Sequence, residues 1–156
     1  MDFNTVQAIT AMQQRCAQIL DSNDLSAWPD LFTAQGCYQL QSRENFDAGL
    51  PLSVMHLTSQ GMLRDRVVAV SGTIYHQPYY QCHVCSAPML TTLSGSAVRS
   101  ESSYLVVRTQ RDGMPHILSV GRYIDDIVLQ DGAWLFAQRL VVFDNDLIAN
   151  SIIKPV

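Results

Sequence analysis

"HILSVGRYIDDIVLQDGAWLFAQRLVVFD", residues 116–144, is the stretch that decides the fold. It is two long runs rich in Ile, Leu, Val, Tyr and Phe, joined by Asp131-Gly132. Asp-Gly between two β-prone runs is a two-residue hairpin signal, because the favoured turn needs residues that tolerate positive φ. In the second run Trp134, Phe136, Leu140 and Val142 share one face by alternation, interrupted by Gln138. The other face carries Leu135, Ala137, Arg139, Val141 and Phe143. Both sides of this strand are therefore expected to be largely covered. Working backwards, residues 97–110 and 82–93 have the same character, with Asp112-Gly113 and Gly95 at hairpin positions.

The first third of the chain is different. Val6, Ile9, Met12, Cys16, Ile19 and Leu20 recur at three- and four-residue steps, which predicts an amphipathic helix. Ser22, Asn23 and Asp24 can end it and cap a second, shorter helix carrying Leu25, Trp28, Leu31 and Phe32. Pro29 fits the first turn of that helix, where a missing N–H costs little. Residues 36–40 read as a short strand, followed by a loop with Asn45, Gly49 and Pro51. Residues 59–71 read as another helix, with Met62, Leu63, Val67 and Val70 on one side and Arg64, Asp65 and Arg66 between them. Helices first and a meander of strands afterwards is an α+β plan. The expectation is a cone-like, curved, mostly antiparallel sheet packed on N-terminal helices, with residues 1–156 as a single domain.

Composition narrows the function classes. A net charge of −4 gives no basic footprint for nucleic acid or an anionic membrane. No apolar run reaches the roughly 20 residues of a membrane span, and the N-terminus has no basic region ahead of an apolar stretch. A cytoplasmic location follows as the expectation, with Cys16, Cys37, Cys82 and Cys85 as free thiols.

The run Cys82-His83-Val84-Cys85 raises metal or redox chemistry. Structural zinc wants four N or S ligands in two close pairs, and no second pair accompanies this one; His56, His76 and His116 are scattered singly. On a strand, positions 82 and 85 point to opposite faces, so buried strand thiols are the simpler reading. There is no glycine-flanked serine elbow and no phosphate loop. A pocket enzyme using a His–Asp acid/base pair stays open as an alternative, with His83, Asp30, Tyr38 and Tyr104 as its candidates. A non-catalytic ligand-binding module is a further alternative.

Residues 43–53, Arg-Glu-Asn-Phe-Asp-Ala-Gly-Leu-Pro-Leu-Ser, form a charged segment that is long for a connector. Together with Met62-Leu63 and Asp65-Arg66-Val67 it resembles the small (β) subunit of aromatic-ring-hydroxylating oxygenases, the Rieske non-haem iron family. The resemblance runs on through His83 and Ser86, Gly121-Arg122, Asp125, Asp131-Gly132, Trp134, Arg139 and Asp144, and so spans nearly the whole chain. It departs at Cys82, where the family has arginine, and at Ala87, where it has asparagine.

The resemblance implies a SnoaL-like (nuclear transport factor 2-like, cystatin-like) cone that supports a large α subunit, expected as three α and three β chains. It implies no catalytic, cofactor or metal residue in this chain. The Rieske [2Fe–2S] cluster and the mononuclear Fe(II) belong to the α subunit, with NADH electrons arriving through a reductase and in some members a ferredoxin. A benzoate- or salicylate-type substrate is the class it suggests. Arg43, Asn45, Asp65 and Arg66 are expected to brace the charged loop through hydrogen-bonded ion pairs and to help join neighbouring subunits, since an arginine fork can hold a carboxylate bidentately.

Overall fold

The first helix, α1 (Phe3–Asp21), buries Ile9, Met12, Cys16 and Leu20 on one stripe, as its periodicity dictates. Asp2 caps it by accepting from the Thr5 N–H at 3.0 Å. The computed structural model describes residues 1–22, 24–145 and 152–156, and the expected cap Asn23 lies outside them.

The second helix does not form as expected. Residues Pro29–Leu31 make a single 3₁₀ turn, and Phe32 already belongs to strand β1 (Phe32–Ser42). Tertiary packing overrides the local pattern here. Trp28 is fully buried and sets its indole edge-on against the Phe32 and Tyr38 rings, at 5.5 and 5.2 Å between centroids. Pairing Phe32 with the sheet satisfies backbone groups that a further helical turn would otherwise have used. Residues expected to open a loop instead form a short helix, α2 (Arg43–Asp47), capped by Ser42. Strand β2 (Met55–Leu57) and helix α3 (Gln60–Val68) follow, and a π turn (Ala69–Thr73) completes the expected 59–71 segment.

The remaining strands are β3 (Tyr79–Cys85), β4 (Met89–Ser94), β5 (Ala97–Gln110), β6 (His116–Gln130) and β7 (Ala133–Phe143). Their order in the sheet is β2-β1-β7-β6-β5-β3, with β4 also on β5; every pairing is antiparallel except β1 with β7. The segment expected as one strand over 82–93 is thus two. Both halves run along the same side of β5, separated at residues 86–88, where Pro88 has no N–H to give the ladder.

Asp131 (φ 50°) and Gly132 (φ 80°) make the predicted turn between β6 and β7. Simple alternation along β7 fails, however. Asp126 pairs with Gln138 but Ile127 with Phe136, so one residue is extra, and β1 also shifts register in the stretch that crosses this bulge. The bulge brings Phe136 to the side of Arg139, whose guanidinium lies 4.3 Å over the Phe136 ring. The apolar inner face of the sheet, with Tyr104, Val106, Tyr123, Ile127, Phe136 and Val141, closes over α1 to form the core. Cys82 and Cys85 differ from the buried thiols expected: both are exposed, because β3 lies at the sheet's edge. Cys16 is buried, Cys37 half-buried, and all four thiols are free.

Candidate functional site

Helix α1 crosses the inner face of the sheet and meets it through polar side chains at two places. In its middle, Gln13 donates to Ser100 Oγ at 2.8 Å and to Asp125 Oδ2 at 3.1 Å. Asp125 and Arg139 face each other across β6 and β7 and form a bidentate pair, 2.9 Å on both arms. Both side chains are buried. Arg139 also donates to Cys16 Sγ at 3.1 Å and lies 4.3 Å over the Tyr123 ring. Burial alone would weaken the Arg139 charge; the Asp125 carboxylate outweighs it and holds the guanidinium above its ordinary value. Every charge here is consumed internally, so the pair braces the fold.

At its C-terminal end, α1 places Asp21 against β3. The Asp21 carboxylate accepts from the His83 backbone N–H at 2.9 and 3.1 Å and from His83 Nδ1 at 2.5 Å. The His83 side chain is 1% exposed, and its other ring nitrogen, Nε2, has no hydrogen-bond partner among the described residues. His83 and Asp21 line a cleft of about 460 Å³ between α1 and the sheet, together with Gln13, Cys85, Tyr123 and Arg139.

A His–Asp pair therefore exists, but not with the aspartate that the sequence suggested. Asp30 lies on the surface, bound to Arg64 at 2.9 Å. Tyr38 is buried elsewhere, its hydroxyl donating to Val156 O and accepting from Val156 N. The Tyr104 hydroxyl is satisfied by Ser119 Oγ at 2.8 Å. Asp21 escaped notice because nothing within a few residues of it marks a site. Its one signal is its place in the last helical turn, where a carboxylate opposes the helix dipole and needs another reason to be there.

The four residues expected at a subunit interface fall in two places. Arg43 pairs with Asp144 at 2.7 Å, and Asn45 donates to Leu52 O at 3.3 Å, so both brace the α2 region. Arg66, on α3, donates to the carbonyls of Ile152 and Ile153 in place of a carboxylate. Asp65 is exposed and joins no ion pair among the described residues. Cys82 and Cys85 point away from each other, and among the described residues no three His, Cys, Asp or Glu side chains gather as a metal ion would require. Among the described residues, no helix is long and apolar enough to cross a membrane.

Residues 2–140 match the model of the SnoaL-like domain family. The chain is 31% identical to the small subunit of anthranilate 1,2-dioxygenase from Burkholderia cepacia, over 99% of this chain and 96% of that one. It is 26% identical to a β subunit of the terminal oxygenase component of terephthalate 1,2-dioxygenase from a Comamonas species, over 99% of both chains. Among solved structures it is similar to the β subunit of a proposed aromatic-ring-hydroxylating dioxygenase from Novosphingobium aromaticivorans. That match has a TM-score of 0.87 and 33% identity, covering 96% of this chain and 95% of that one.

Proposed function

The chain belongs to the SnoaL-like domain family and, within it, to the small subunits of aromatic-ring-hydroxylating dioxygenases, and from that premise we propose that it supports a large oxygenase subunit. The observation that carries this reading is the end-to-end match at 31% identity to a subunit of that kind. The internal use of charge agrees with it: the buried Asp125–Arg139 pair is spent on bracing the fold. The chain is an accessory subunit without an active site of its own.

The finer parts of the proposal are these. Residues 1–156 act as one domain. The partner is a large α subunit that carries the Rieske [2Fe–2S] cluster and the mononuclear Fe(II), assembled as three α and three β chains in the cytoplasm. Electrons reach it from NADH through a reductase, with or without a ferredoxin. The substrate is a small aromatic carboxylate, a class supported by the relatives from anthranilate and terephthalate dioxygenases. Arg43, Asn45, Asp65 and Arg66 border the surfaces that join neighbouring subunits, with exposed Asp65 free to meet a partner's cation.

Co-expression with a large chain bearing C-x-H and C-x-x-H pairs, sought in the neighbouring gene, tests the reading. The two should co-elute as one large, brown, iron-containing complex. A large subunit that assembles and turns over without this chain, while this chain elutes alone, would overturn it.

A further inference from the structure

Strand β5 carries a charge that no carboxylate of the described residues neutralises. By alternation Arg108 follows Tyr104 and Val106 on the inner face of the sheet, and it is only 4% exposed. Arg139, just as buried, is saturated by Asp125. Arg108 has no such partner: among the described residues it joins no ion pair and donates no hydrogen bond. Its guanidinium lies 4.2 Å from the centre of the Tyr79 ring, and Lys154 Nζ lies 4.9 Å from the same ring, so a second cation is close by. Gln81, opposite Arg108 on β3, turns its amide to Pro155 O instead. A buried charge without a counter-ion is costly, and native chains leave few buried polar groups unmatched. Arg108 calls for an anion.

An anion can reach it. Of the three guanidinium nitrogens only Nε is sealed from the surface without a partner; the two terminal nitrogens are not sealed. The side chain forms part of the wall of a pocket of about 230 Å³, between the end of β5 and the irregular residues 74–78 that lead into β3. No Asp or Glu lines this pocket. Ile74 and Ile153 supply an aliphatic wall, and Gln77 and Gln110, hydrogen-bonded to each other at 3.4 Å, supply a neutral polar rim. An arginine fork matches the two oxygens of a carboxylate and keeps its charge in proteins. A cavity of about 150 Å³ is enough to hold benzene, so one ring bearing a carboxylate fits the space, with the ring against the isoleucines. We propose that this pocket binds a small single-ring carboxylate through Arg108.

The inference rests on the pocket alone, and binding is read in the isolated full chain, so it can fail while the subunit reading stands, and the reverse. The probe is benzoate, titrated while the imidazole resonances of His76 and His56 are followed by NMR. His76 lines the pocket, whereas His56 lies on β2 at the opposite edge of the sheet. Benzoate should shift His76 saturably and leave His56 in place. Benzamide has the same shape without the charge and should bind at least about tenfold more weakly, the loss of charge-assisted hydrogen bonds. Acetate presents the carboxylate of an Asp or Glu side chain without a ring and should also bind at least about tenfold more weakly, having nothing to set against the aliphatic wall. Arg108→Met should abolish the benzoate shift. No saturable shift at His76, equal shifts at both histidines, benzamide binding as tightly as benzoate, or a folded Arg108→Met chain that still binds it would each overturn the proposal. Equal binding of acetate would overturn it too, assigning Arg108 to a bare carboxylate such as a partner's side chain. Should Arg108→Met not fold, the comparison of the three probes on the wild-type chain decides the matter alone.

Discussion

Asp125 and Arg139 show how much one residue pair can hold. Each is desolvated and each satisfies the other through two hydrogen bonds, with Gln13 and Cys16 as further partners. Removing one member strands a buried charge, which typically costs about 3–5 kcal/mol. Asp125→Ala and Arg139→Met should each lower the urea midpoint steeply, and the double variant should lose much less than their sum; additive losses would show that the pair is not coupled. Cys16 offers a pH-dependent check. Burial pushes its thiol from 9.0 up to about 11, so the folded chain keeps a proton that the unfolded chain gives up. Its contribution is fully present below pH 9.0 and is lost as pH rises through about 11. Stability should therefore fall across that window, and Cys16→Ala should remove up to about 1.4 kcal/mol per pH unit of the slope. An unchanged slope would mean that the thiol does not sense burial.

At the scale of the element, the bulge in β7 and the close approach of β6 decide which side chains meet. Gly121 lies where β6 passes β7 so tightly that an added Cβ would come within 2.0 Å of the Val142 carbonyl oxygen and 2.9 Å of Phe143 Cα. Those neighbours are backbone and cannot step aside by changing rotamer. Gly121→Ala should therefore cost at least the about 1–3 kcal/mol of ordinary overpacking. Gly72, with nothing within 4 Å of a built Cβ, is the control, and Gly72→Ala should be close to neutral. Equal thermal midpoints for the two variants would contradict this account of the β6–β7 contact. The two long strands, their turn at Asp131-Gly132 and the amphipathic face of α1 could all be read from residue spacing. The bulge could not, because an extra residue is defined only against the partner strand it fails to match.

At the scale of the whole molecule, the surface pairs contribute little to stability and must be judged by assembly. Arg43–Asp144 is substantially exposed, so breaking it should cost the isolated chain only about 0–1 kcal/mol. Arg66 is half-buried and holds the carbonyls of residues 152 and 153, so Arg66→Ala should loosen that segment as well. In the co-expressed complex, Arg43→Ala, Asp65→Ala and Arg66→Ala should shift the elution profile toward free subunits. His83→Ala should leave hydroxylation by a full-sized, iron-replete complex largely intact. Loss of turnover in such a complex would give His83 a direct catalytic part and end the support reading.

Sequence alone determined what depends on near neighbours. Apolar spacing within a few residues sets the face of α1, Asp-Gly sets the β6–β7 turn, and runs of β-branched and aromatic residues set the long strands; the order of these elements gave an α+β cone. The order and spacing of short fragments along the chain carried the family. Tertiary structure alone decided what depends on distant ones. Asp21 finds His83 62 positions away, and Tyr38 finds Val156 118 positions away. Phe32 leaves its expected helix because a sheet strand far along the chain offers its backbone a better partner. Local propensities are worth at most about 1 kcal/mol per residue, Pro excepted, whereas burying an aromatic side chain such as Trp28 or Phe32 is worth more than that. Where the two disagree, packing wins, and packing is a property of the folded whole.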